Sequence, residues 1–275
     1  MSDLSLAVYG CRGSMPVSRP SGSRYGNNTT CITIEADSTR LIMDAGSGLN
    51  SLYHESYSPT QVEDIHLILS HLHLDHVGGL GMFYPATSSS FNLNIYTTSH
   101  NNKPLAEQVF GLFKPPYWPI ELPTLAKATY HQISPDKPFY IEPFTITPFN
   151  APHPDNTLSF HIRHSSGKSV VYLLDSEIPL MTKKHYAELV EACNGADVVV
   201  FDCAYSNEDY PSCKGYGHSP PRAGEMLLHD SNCKKILFSH FSQKYSDDEL
   251  DSWSEEITTN KERFVFAQEG MVLKI

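Results

Sequence analysis

Apolar residues along the chain fall into short dense runs separated by turn-forming residues. LSLAVYG, CITIEA, RLIMDAG and DIHLILSH come first, and FNLNIYTT, FTITPFNA, TLSFHIRH, SVVYLLDS, DVVVFDC and KILFSH follow. Runs of four to eight residues rich in Val, Ile, Leu, Phe and Tyr predict strands buried on one or both faces. Helical patterns are fewer: KPLAEQVFGLF, HYAELVEACNG with Gly195 as its C′ residue, PPRAGEMLLHDS with Pro at its start, and SDDELDSWSEEI. Many strands, then strands alternating with helices, predict an α/β protein in which two sheets pack face to face with helices outside. No repeat, low-complexity tract or linker divides residues 1–275, so one domain is expected. The Pro- and aromatic-rich stretch 84–138 (KPPYWPIELP within it) reads as an insertion or lid over a site.

The densest chemistry follows the run IHLIL: Ser70-His71-Leu72-His73-Leu74-Asp75-His76-Val77-Gly78-Gly79-Leu80. Imidazole and carboxylate suit a borderline divalent ion such as zinc. Four such groups crowded together without a metal would be badly satisfied. His71 and His73 are two apart, so an extended chain projects them to one side. Asp75 and His76 come after the turn and can face a second ion.

This segment resembles the H-x-H-x-D-H signature of the metallo-β-lactamase superfamily, and the resemblance extends over nearly the whole chain. It implies a four-layer αβ/βα sandwich with two metals at one edge of the sheets. Three further strand ends match the remaining ligand positions: His153 in FNAPHP, Asp175 in LLDSE and His240 in LFSHF. The resemblance implies His71, His73 and His153 at one metal, Asp75, His76 and His240 at the other, and Asp175 bridging. Zinc is the expected ion, with manganese or iron as alternatives. Asp44, in MDAGSG, is expected to orient a metal-binding histidine. His66, His161 and His164 lie on strand-like runs, and His54, His100, His131, His185 and His229 have no partner motif. None is assigned to metal.

Two divalent ions carry four positive charges, of which Asp75, Asp175 and a shared hydroxide remove three. A net positive centre would remain and attract an anionic oxygen, and a shared water would become a nucleophile at neutral pH. Fold alone does not select the bond attacked. Gly215-Tyr216-Gly217-His218-Ser219 resembles the short histidine motif of the phosphodiesterase branch, which includes tRNase Z. The resemblance implies that His218 contacts the scissile phosphate and serves as general acid beside Asp75. Phe238-Ser239-His240-Phe241-Ser242-Gln243-Lys244-Tyr245 resembles the H-F-S-x-R-Y segment of tRNase Z, with Lys244 where that family has arginine. Asn28, Ser242 and Lys244 are therefore the candidate substrate-binding residues. GCRGSMP, YGNNTTC and MDAGSG are similar to turns of small bacterial phosphodiesterase-like members and imply a site floor of backbone N–H groups.

Charge narrows the substrate. Lys+Arg number 20 against 31 Asp+Glu, a formal net charge of −11. Proteins that grip long nucleic acids are usually basic, and no glycine-proline-rich basic arm is evident. The expected partner is a small anionic substrate, a cyclic nucleotide among the candidates. Extended nucleic-acid binding and a membrane partner are not expected, and a homodimer is allowed. The start MSDLSLAVYG lacks a signal-peptide pattern, no apolar run reaches membrane-spanning length, and the six cysteines form no C-x-x-C pair. A reducing, cytoplasmic setting is expected. The alternatives are an RNA 3′-processing nuclease, a lactone or thioester hydrolase, and a non-hydrolytic di-metal protein. A di-iron oxidoreductase of this fold would carry a glutamate where His73 stands.

Overall fold

A computed structural model describes residues 4–19, 23–56, 63–100, 103–257 and 259–275. The side chain of His54 lies outside the described part, as do residues 1–3 at the start of the chain. The first sheet and its neighbourhood use strands β1 (Ser5–Gly10), β2 (Arg12–Gly13), β3 (Cys31–Ala36), β4 (Thr39–Met43), β5 (Glu63–Ile68), β6 (Phe91–Thr97) and β7 (Ala128–Gln132). Then come β8 (Phe139–Ile141), β9 (Phe144–Asn150), β10 (Leu158–His164), β11 (Ser169–Leu173), β12 (Val198–Asp202), β13 (Ile236–Ser239), β14 (Phe241–Ser242), β15 (Phe264–Phe266) and β16 (Val272–Lys274). The helices are α1 (Leu49–Ser56), α2 (Leu74–Val77), α3 (Leu105–Val109), α4 (Leu122–Leu125), α5 (Lys183–Cys193), α6 (Tyr210–Cys213), α7 (Pro221–Ser231) and α8 (Asp247–Glu256).

Two seven-stranded sheets result, ordered β16-β1-β3-β4-β5-β6-β7 and β15-β13-β12-β11-β10-β9-β8. Each is antiparallel on one side and parallel on the other, the change falling at β4–β5 in the first and β11–β12 in the second. The parallel strands SVVYL and VVVFD are buried at every position, as strands covered on both faces must be. In β1 burial instead alternates, with Leu6 and Val8 inside.

One buried cluster joins the facing surfaces, with Leu6, Ile34 and Met43 in the same core as Ile146, Phe160 and Tyr172. It continues to the far face of the second sheet, where α5, α7 and α8 contribute Leu189, Leu227 and Trp253. A second cluster covers the outer face of the first sheet: Ile42, Leu67 and Ile95 meet Leu49 and Leu52 of α1 and Leu80 beyond α2. The order is helix, sheet, sheet, helix, as the four-layer expectation requires. Helix α1 was not predicted; its short apolar pair at i and i+3 is too small a stripe to stand out.

The stretch 84–138, expected as an insertion or lid, packs in large part on the first sheet. Strands β6 and β7 belong to the first sheet, and Phe110, Phe113 and Leu122 between them are buried in the outer core. Burial of a side chain such as Phe110 contributes about 2–3 kcal/mol, so this connection is anchored as a structural layer. Its polar edge comes near the site, where His100, Lys103, Glu107 and Gln108 line a recess with His73 and Asp155.

Candidate metal centre

The donor residues stand on the loops and the turn that follow strands of the two sheets, and His218 stands on the loop between α6 and α7. β5 delivers Ser70 and His71, and the turn into α2 carries His73, Asp75 and His76. β4, β11 and β13 end next to Asp44, Asp175 and His240, which all adopt left-handed backbone with φ of 60°, 51° and 67°. Such angles are uncommon for residues with a Cβ and are held where surrounding structure imposes them. Here each one turns the chain sharply at a strand end that opens on the site.

The donor atoms converge. Those of His71, His73, His153 and Asp175 lie within 4.8 Å of one another, and so do those of Asp75, His76 and His240. Asp175 joins the two groups: its Oδ1 is 3.8 Å from His71 Nε2 and 3.6 Å from His153 Nε2. Its Oδ2 is 3.0 Å from His76 Nε2 and 3.3 Å from His240 Nε2. Asp75 Oδ2 is 3.2 Å from His240 Nε2 and accepts a hydrogen bond of 2.7 Å from the backbone N–H of Ser14.

The rear partners fix which nitrogen faces inward. His153 Nδ1 donates to the carbonyl of Gly217 at 2.8 Å and His76 Nδ1 to Asp44 Oδ2 at 2.8 Å. The Ser70 hydroxyl donates to Asp44 at 2.9 Å, so it accepts from His71 Nδ1 at 3.0 Å. His71 and His153 therefore present an unprotonated Nε2 to the centre, whereas at His76 burial is outweighed by the carboxylates of Asp175, Asp75 and Asp44, which raise its pKa and favour a ring charge that a metal would displace. His73 is reversed: its Nε2 faces Asp155 at 3.1 Å and its Nδ1 faces His153. The buried carboxylate of Asp44 also accepts from Ser70 N–H and from the Tyr172 hydroxyl, both at 2.7 Å.

Protonation is set the same way. Burial, then the charge of His76, holds His71 well below the usual histidine range, and burial lowers His153. Burial works against ionisation of Asp75 and Asp175, but the surrounding imidazoles overcome it and hold both carboxyls below their usual range. Neutral imidazoles and ionised carboxylates are the forms that bind metal. Two buried atoms aimed at the centre, His71 Nε2 and Asp175 Oδ2, have no hydrogen-bond partner among the described residues. Orphaned buried acceptors are costly, and a divalent cation satisfies both. The donor set fits a pair of such ions.

His218 lies against this cluster, its ring 5.1 Å from His153 and 5.0 Å from His240. Its Nδ1 donates to Asp202 Oδ2 at 2.7 Å, which leaves Nε2 as the exchangeable end. Burial alone would lower its pKa, but the Asp202 carboxylate, with Asp175 and Asp75 beyond, pushes it up to about 9. Asp202 is itself fixed by the N–H groups of Ser176 and Ala204.

The three candidate substrate-binding side chains each have partners within the protein. Asn28 is spent on its turn: its Oδ1 accepts from Ser47, and its Nδ2 donates to Glu269. Ser242 is buried, and its hydroxyl meets Gln243 Oε1 and the backbone N–H of Lys244. Lys244 is ion-paired with Asp209 at 3.0 Å. Conversely, Ser14, Ser70, Tyr172, Glu177 and Asp202 were not anticipated. Asp202 ends the apolar run DVVVFD as Asp175 ends SVVYLLD, which was the available signal.

A two-sheet sandwich with a dinuclear donor set at one edge defines the metallo-β-lactamase fold, a class that includes metal-dependent hydrolases. The chain belongs to this superfamily: residues 39–241 match the family described as the beta-lactamase superfamily domain. Among solved structures it is similar to the metallo-beta-lactamase fold protein YhfI from Bacillus subtilis, with a TM-score of 0.73 and 19% identity over 100% of both chains. It is also similar to a diphosphatase from the PhnP family, with a TM-score of 0.72 and 15% identity, covering 99% of this chain and 98% of that one. In sequence it is 29% identical over 92 residues to a ribonuclease Z of Azobacteroides pseudotrichonymphae genomovar. CFP2. That match covers 33% of this chain and 31% of the relative, so under a third of the relative's length is spanned. No helix among the described residues is long and apolar enough to cross a membrane.

Proposed function

We propose that the chain is a metal-dependent phosphodiesterase acting on a small nucleotide-type phosphodiester, cyclic nucleotides included. The observation that carries this reading is the Asp202–His218 pair, 2.7 Å apart and directly beside the donor cluster. A poor alkoxide leaving group needs a proton donor, and an acyl substrate with a good leaving group does not. When bound at the two donor sets, divalent ions, zinc first among them, would supply Lewis acidity and a nucleophile at neutral pH. The chain's own residues do the rest. Asp175 spans the two sets, Asp44, Ser70 and Gly217 fix the inward nitrogens, and His218 carries a proton on Nε2 toward the departing oxygen. Neighbouring cations would bring its pKa down from about 9 toward the working pH. Six free cysteines, five of them buried, suit a reducing compartment, and we place the protein in the cytoplasm.

The match to ribonuclease Z favours RNA 3′-processing as a second reading. The net charge of −11 and the pairing of Lys244 with Asp209 weigh against it. The deciding experiment is a metal-resolved panel of bis(p-nitrophenyl) phosphate, cyclic nucleotides, a precursor tRNA, a thioester and a lactone. The first two should be cleaved by zinc-loaded protein, with loss of both metal and turnover in His71→Ala. Turnover of the thioester or lactone alone would end the phosphodiesterase reading.

A further inference from the structure

Beyond the donor cluster the chain of ring contacts continues outward. The Tyr205 ring meets His218 edge-on at 5.9 Å, and Tyr216 meets Tyr205 at 6.4 Å. Tyr205 is half-buried, whereas Tyr216 is 63% exposed. An exposed tyrosine on a loose loop would be unremarkable, but this loop is held. Gly215 and Gly217, with φ of 88° and 89°, flank Tyr216 in a backbone conformation that residues with a Cβ rarely adopt. Both of their N–H groups donate to the buried carboxylate of Glu177, at 2.8 and 2.9 Å. Glu177 is held in turn by the Tyr210 hydroxyl at 3.0 Å and lies two residues after Asp175. Lys244 Nζ lies over the Tyr205 ring, 5.8 Å from its centre.

A solvent-facing aromatic surface on a held backbone turn therefore begins one ring contact from the proton-carrying histidine. Large rings bind at low conformational cost when already held in place. The partner such a surface fits is a flat π-system, and a nucleobase stacks on tyrosine without regard to its identity. We propose that Tyr216 and Tyr205 form the base-recognition wall of the site, so that the substrate carries a purine or pyrimidine one sugar away from the phosphoryl group at the donor cluster. This rests on the phosphodiesterase reading and adds the class of group that flanks the scissile phosphate. It also gives the Gly215-Tyr216-Gly217 sequence two tasks, since Gly217 orients His153 through its carbonyl while Tyr216 faces the substrate.

The test measures binding of two phosphomonoesters to zinc-loaded protein by calorimetry: adenosine 5′-monophosphate and ribose 5-phosphate, which differ by the base. The nucleotide should bind roughly tenfold more tightly, within the range for one stacked base. Tyr216→Ala should bring the two affinities together, and Tyr216→Phe should restore the difference, because the ring and not the hydroxyl makes the contact. Equal affinities in the wild type, or an advantage that survives Tyr216→Ala, overturns the wall and leaves the phosphodiesterase reading standing. If neither compound binds, the donor cluster is not a phosphoryl site and both conclusions fall.

Discussion

Asp44 and His76 meet at 2.8 Å, Oδ2 to Nδ1, with both side chains wholly buried. One carboxylate thereby holds two ligand histidines, His76 directly and His71 through the Ser70 hydroxyl. Replacing Asp44 by Asn keeps the shape but places an amide N–H₂ or a neutral carbonyl against donors that need an anion. Carboxylates behind metal-binding histidines change metal affinity by about 10- to 100-fold. We expect Asp44→Asn to weaken metal binding by that factor in a chelator competition, with His76's donor set affected first. Unchanged affinity would remove Asp44 from the site.

The Asp202–His218 pair makes a prediction about leaving groups. His218→Ala should retain full metal content and lose about 10²- to 10⁴-fold in rate on diesters with poor leaving groups. Loss on p-nitrophenyl esters should be small, since that anion departs without a proton. Asp202→Asn should follow the same pattern more weakly, because Asp202 holds the ring and favours its charged form. A plot of rate against leaving-group pKa checks this: parallel lines for wild type and variant would exclude an acid role.

Gly217 and Gly215 form a controlled pair. Both have positive φ, so alanine strains the backbone equally at either position. At Gly215 an added Cβ meets open space, whereas at Gly217 it would lie 2.2 Å from His153 Nδ1. Gly217→Ala should therefore displace His153 and lower metal affinity of the His71–His73–His153 set, while Gly215→Ala should lower thermal stability alone. Equal metal affinity in the two variants would contradict the contact.

These residues also mark what a single sequence discloses. The ten apolar runs became strands because strands buried on one or both faces carry dense β-branched and aromatic residues, continuous in β11 and β12 and alternating in β1 and β9. The edge strands β7, β8, β15 and β16 are short, with mostly half-exposed patterns, and carry no such signature. The seven donors were legible because His and Asp at strand ends in family order are chemically conspicuous. Their support was not. Asp202 sits at the end of an apolar run with no motif of its own, and Glu177 is recognisable only once the Gly215–Gly217 turn is seen folded over it. The internal partners of Asn28, Ser242 and Lys244 were not legible, because a motif records which side chains are present and not which neighbours they satisfy.

Arg12 carries the last prediction. Its guanidinium is fully buried and donates to Gly26 O at 2.9 Å, Tyr245 O at 3.2 Å, Ser23 Oγ at 2.8 Å and Asp247 Oδ1 at 3.2 Å. Its backbone pairs with β14 next to His240, and two residues on, Ser14 holds Asp75. Asp247 is the charge opposite this buried cation. Burial would raise its pKa, but the Arg24 N–H, the Ser23 hydroxyl and the Arg12 charge together lower it. A carboxyl depressed on folding adds stability above its unfolded pKa of about 3.9 and loses it as pH falls through the folded value. Asp247→Asn should cost about 3 kcal/mol at neutral pH by leaving Arg12 without its counter-charge. The gap between wild type and variant should stay level from pH 7 to about pH 5, begin to narrow near pH 4, and close only as the pH falls through the lower folded value, where the wild-type carboxyl is itself protonated. Urea midpoints at four pH values measure it, and a gap that stays constant into acid would show that the Arg12–Asp247 charge pair does not brace this edge of the site.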